Sequence, residues 1–96
     1  MLVHIVMFKF NEENKEANLA RVKTMLEALP SKIETLKSME VGIDMSHSER
    51  SFDMVLVSKF DDQAGLDVYA PHRDHQAVVS VIKEVTSMSK VVDYLQ

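Results

Sequence analysis

Along this chain the hydrophobic positions repeat with the period of a strand, then of a helix, and the alternation predicts the elements in turn. Residues 2–10 (Leu-Val-His-Ile-Val-Met-Phe-Lys-Phe) are rich in β-branched and aromatic side chains and read as a strand. One face of it carries Leu2, His4, Val6, Phe8 and Phe10, the other Val3, Ile5, Met7 and Lys9. Asn11 reads as a helix N-cap, with Glu12 and Glu13 favouring the positive end of the dipole. Leu19, Val22, Leu26 and Leu29 then fall at helical spacing, and Pro30 marks the stop. After a turn around Ile33 and Leu36, a second strand near 38–46 places Met39, Val41, Ile43 and Met45 on one face. The polar run 46–51 is a hairpin loop, and 52–60 a third strand. Asp61 or Asp62 caps a short helix carrying Leu66 and Tyr69; Pro71 breaks it and suits the opening of the next. There His75, Val78, Val79, Ile82 and Val85 form one stripe, and a last strand runs near 88–95. The order β-α-β-β-α-β, with its second helical region in two pieces, predicts a ferredoxin-like α+β fold: a four-stranded antiparallel sheet with helices on one face.

In that order the first and third strands are central, and both are apolar on both faces. His4, Val6, Phe8, Met54 and Leu56 are expected to face the helices. Val3, Ile5, Met7, Val55 and Val57, with Val91 from the last strand, would then face water. A contiguous patch of that kind rarely stays exposed on a monomer, so a homodimer with its sheets packed face to face is expected. A one-residue slip on any strand would reverse that strand's faces.

With 96 residues the chain has room for one core, so a single domain over 1–96 is expected. The net charge of −4 and the scatter of the eleven Lys and Arg argue against nucleic acid as a partner. Cysteine is absent, which excludes disulfides and thiolate metal sites. No apolar run approaches membrane-spanning length, and the opening residues lack the features of a signal peptide, so no membrane partner and a cytoplasmic location are the default expectations. There is no Gly-rich phosphate loop and no nucleophile motif, and no cofactor is expected.

The suggestive chemistry lies in His4, Tyr69, His72 and His75. His75 shares its stripe with Val78, Val79 and Ile82, and His4 lies on the strand face assigned to the helices, so the two can meet across a partly apolar pocket. A neutral histidine there suits a general base, and a tyrosine can donate to a carbonyl oxygen as it gains negative charge. Such a set fits proton abstraction beside a carbonyl. Val6, Phe8, Met54, Leu56, His72 and Val79 are the expected lining of the pocket. The competing reading is structural, with the histidines merely satisfying buried polar groups. A third is a divalent metal held by His72 and His75, one helical turn apart, with Asp74 and His4 as further ligands.

Several pieces taken in order carry a resemblance: His4 with Phe8-Lys9-Phe10, Leu29-Pro30-Ser31-Lys32-Ile33, Val41-Gly42, the run Phe52 to Asp61, and Tyr69-Ala70-Pro71-His72-Arg73-Asp74-His75. Together they resemble the stress-responsive dimeric α/β-barrel (Dabb) family over essentially the whole chain. The resemblance implies a dimer in which two four-stranded sheets form a barrel with helices outside. Most members have no established activity. One plant branch contains a polyketide cyclase that closes a ring by intramolecular aldol-type condensation, with a Tyr-x-x-His-Pro-x-His motif beside a pocket between sheet and helices. On this chain that motif implies Tyr69 and His75 as the site pair, with His4 as the first-strand histidine. Two departures stand out. Arg73 replaces the motif's proline, and Met54 falls where the cyclase carries a further histidine, which separates this chain from that substrate. Nothing selects the monooxygenase chemistry of the wider dimeric α+β barrel class: tryptophan is absent and no histidine stands out as an axial ligand.

Overall fold

In a computed structural model describing residues 1–96, the opening alternation becomes the nine-residue strand β1 (Leu2–Phe10). Helix α1 (Lys15–Glu27) follows, then a 3-10 turn (Leu29–Ser31) started by Pro30, and strands β2 (Ser38–Ile43) and β3 (Met54–Phe60). Helices α2 (Gln63–Tyr69) and α3 (Arg73–Val85) lead into β4 (Thr86–Leu95). The strands form one antiparallel sheet in the order β2-β3-β1-β4, so β1 and β3 are central, as the ferredoxin-like order requires. The core fills the space between sheet and helices. Leu19, Val22 and Leu26 of α1 and Val78 and Ile82 of α3 are buried with Phe8, Leu56 and Phe60 of the central strands. Their burial removes apolar surface from water, the main force holding the helices to the sheet.

Several local expectations are corrected. Asn11 does not cap α1. Its backbone N–H donates to the Val85 carbonyl and its side chain to that of Glu84, which ties the end of β1 to the end of α3. The helix instead begins after Asn14, which turns the chain in the left-handed region (φ 56°) that asparagine tolerates well. Strand β2 stops at Ile43, leaving Met45 in the loop, because the Asp44 carboxylate accepts from the His47 N–H (2.7 Å) and bends the chain. Strand β4 starts at Thr86, directly after α3 with no intervening loop. Asp62 is the residue that caps α2, accepting from the Gly65 N–H at 3.0 Å.

Register divides the sheet's two faces. Val6 pairs with Leu56 and with Val91, so Val91 lies on the helix side and not on the open face. Val92, opposite Ile5, and Tyr94, opposite Val3, take the open-face places instead. A bulge at Lys9/Phe10 sets this register, and the sequence does not announce it. Val3 departs from expectation too: flanked on its own face by Lys59 and Tyr94, it is fully buried within the single chain. Met7, Met88, Val92 and Tyr94 remain exposed there, with Ile5, Val55 and Val57 half-buried among them. No helix is long and apolar enough to cross a membrane.

Candidate functional site

Between β1, β3, α1 and α3 lies a cavity of about 230 Å³. Its polar end is formed by His4, Tyr69 and His75; Val6, Leu56 and Val79 line its middle, and Lys83, Thr86 and Ser89 stand at its other end. Sequence reasoning thus places His4, Val6, Phe8, Leu56, Tyr69, His75 and Val79 at one cavity, and there they are. His72 and Met54 do not line it. His72 is the N-cap of α3, and Met54, paired with Phe8 on one side and Ile43 on the other, lies toward β2, beside a separate recess near Met7 and Gly42.

Each histidine's hydrogen bonds fix which ring nitrogen carries the proton. His4 faces Asp93 across the β1–β4 pairing, and its Nδ1 donates to the Asp93 carboxylate. A carboxylate can only accept, so His4 Nδ1 carries the proton of that bond. On the opposite side Ser58, fully buried, donates its hydroxyl to the His4 carbonyl (3.3 Å). His75 Nδ1 donates to the Ala70 carbonyl at 2.9 Å, an oxygen that also accepts from Gln76. With the ring neutral, its Nε2 is a free acceptor. His72 is the reverse case: its Nδ1 accepts from the Asp74 N–H (3.1 Å), closing the first turn of α3.

The Tyr69 ring packs at a tilt against both Phe60 (centroids 5.1 Å apart) and His75 (4.1 Å). Although Tyr69 is almost wholly buried, its hydroxyl is not sealed away without a partner and reaches the cavity. Burial raises its pKa well above the ordinary 10.0, so the hydroxyl stays a donor at neutral pH. Burial pushes His75 below its ordinary 6.5; the Ala70 carbonyl opposes this, while nearby His4 and His72 add to the depression. His75 is consequently a neutral base at pH 7. No group of three or more His, Cys, Asp or Glu side chains converges to hold a metal, so His72 and His75 lack the further ligands that reading requires.

Asp93 is the main site residue missed in the sequence. A signal existed: it is an acid within the apolar run Val91-Val92-Asp93-Tyr94-Leu95, and aligning that run antiparallel to β1, with Leu95 opposite Leu2, brings it to His4.

The fold and cavity together define a ferredoxin-like α+β protein with a pocket between sheet and helices. The family model for the stress responsive A/B barrel domain matches residues 2–96, and the chain belongs to that family. Among solved structures it is similar to a dimeric protein of unknown function and ferredoxin-like fold from Bacteroides fragilis. The two are 33% identical with a TM-score of 0.89, over 97% of this chain and 93% of that one. A dimeric ferredoxin-like protein of unknown function from Thermobifida fusca is 26% identical (TM-score 0.89; 99% and 90% covered). A structure described as an antibiotic biosynthesis monooxygenase is 15% identical (TM-score 0.81; 100% and 98% covered) and shows a shared fold alone. No curated protein sequence matches the chain.

Proposed function

We propose that this chain forms a homodimer whose subunits each bind a small carbonyl-bearing or aromatic molecule in the His4–Tyr69–His75 cavity and move a proton beside its carbonyl. The observation that carries this is the meeting, on one apolar-walled cavity, of His4, a neutral His75 whose Nδ1 is engaged by the Ala70 carbonyl, and a Tyr69 hydroxyl with no other partner. In this reading the ketone oxygen accepts from Tyr69, and the neutral His75 removes a proton from the adjacent carbon. The charge that develops moves onto the oxygen as an enolate, which the Tyr69 hydrogen bond stabilises. The His75 imidazolium exchanges its proton with solvent and returns one to the carbon, which restores the ketone and the neutral base, while His4, held by Asp93, walls the same end of the cavity.

The test is loss of methyl protons from 4-hydroxyacetophenone into D₂O, followed by NMR. Wild type is expected to accelerate exchange, His75→Ala to lose about a hundredfold or more of that acceleration, and Tyr69→Phe to lose part of it. Exchange no faster than buffer, or equal in His75→Ala, contradicts the reading.

A non-catalytic, structural dimer is the second reading. It is favoured by the fact that the Nδ1 atoms of His4, His72 and His75 are all engaged within the chain. It leaves the Tyr69 hydroxyl and the His75 Nε2 without a partner in the chain. The homodimer itself is supported by the exposed apolar side chains of the open sheet face, and by relatives described as dimeric.

A further inference from the structure

The cavity has two unlike ends. Along α3 it runs from His75 to Lys83, eight residues on the same face, or about 12 Å at 1.5 Å per residue. Along β1 it runs from His4 to Phe8, a similar length in an extended strand. Between the ends the walls are apolar. At the far end stands Lys83, which forms no ion pair and no hydrogen bond within the chain and is the one lysine lining the cavity. Ser89, opposite Phe8 in the β1–β4 pairing, also has a free hydroxyl there. Thr86 beside them donates to the Ile82 carbonyl (2.8 Å) and so fixes the strand entry that brings Ser89 to the cavity. No acidic side chain lines the cavity, in a protein whose net charge is −4. Asp93, the nearest acid of β4, is occupied with His4 at the other end.

Resting on the reading of this cavity as a ligand site, we propose that its ligand is a carboxylate-bearing molecule. The anionic group is held by the Lys83 ammonium and the Ser89 hydroxyl, an apolar or aromatic body spans Val6, Leu56 and Val79, and a carbonyl meets Tyr69 and His75. The geometry selects a molecule whose acid and carbonyl are at opposite ends. A charge-assisted hydrogen bond from an ammonium at the mouth of the cavity favours the anion over a neutral isostere of the same shape.

The probes are 4-acetylbenzoate and its neutral counterpart 4-acetylbenzamide, titrated into the ¹⁵N-labelled full chain at low salt and followed by amide shifts. The acid is expected to bind about tenfold more tightly, shifting amides of Lys83, Phe8 and Ser89. Lys83→Met, at an exposed position, is expected to remove that preference, so that acid and amide bind alike. Equal affinity of acid and amide at the cavity overturns the carboxylate proposal and leaves the ligand site standing. A preference that survives in Lys83→Met overturns the role of Lys83. Failure of both probes to shift any cavity amide overturns the ligand site and this proposal together.

Discussion

His75 is held by the Ala70 carbonyl at Nδ1, and burial outweighs that bond and keeps the ring neutral beside the cavity. Its depressed pKa has a consequence for stability. Above pH 6.5 the folded and unfolded forms are both neutral and the group contributes nothing. Below 6.5 the unfolded chain takes up a proton that the folded chain resists, so stability falls with pH until the folded-state pKa is passed. Urea unfolding between pH 7.5 and 5.5 should show that decline, shallower in His75→Gln; an identical slope in the variant would contradict the assignment. Tyr69 carries the complementary signature. Because burial raises its pKa, it should remain protonated past pH 10 while the chain is folded, so Tyr69→Phe should leave the folded protein's phenolate absorbance at 295 nm unchanged. For Asp93, an amide can donate as well as accept and no longer dictates the His4 tautomer. Asp93→Asn should mix the His4 tautomers seen by ¹⁵N NMR.

At the scale of elements, the site depends on how α2, α3 and β4 begin. Asp62 fixes the start of α2, at whose end Tyr69 lies; Asp62→Ala should cost about 1 kcal/mol in chemical denaturation. His72 caps α3 and so aims His75, one turn on, back at the Ala70 carbonyl. The helical stripe and the strand alternation were enough to bring His4, Tyr69, His75, Val6 and Leu56 to one place, because period and element order decide which face looks at the core. What the pattern did not carry was register. Val91 and Val92 are adjacent and equally apolar, and only pairing with β1 across the Lys9/Phe10 bulge decides which of them faces the helices. Asp93 and Ser89 went unnoticed for the same reason. Met54 and His72 were misplaced by finer geometry: Met54 leans toward β2, and His72 turns back on its own helix. Asn11 was misread because it met every local rule for a cap, yet a partner distant in sequence, the end of α3, claimed both its donors.

At the scale of the molecule, the helices cover one sheet face and leave Met7, Met88, Val92 and Tyr94 exposed on the other. Packing two such faces about a two-fold axis would remove that surface from water. Light scattering at micromolar concentration should give twice the chain mass, and Val92→Glu should give a monomer, since a buried unpaired charge is costly. A monomeric wild type would contradict the face-to-face assembly. In the proposed reaction a neutral His75 takes the proton in an apolar-walled cavity. The pH dependence of 4-hydroxyacetophenone exchange tests that most directly. The acid limb of the rate should have its midpoint below pH 6.5 and disappear in His75→Ala. A midpoint at or above 6.5, or an acid limb that survives in the variant, would contradict it.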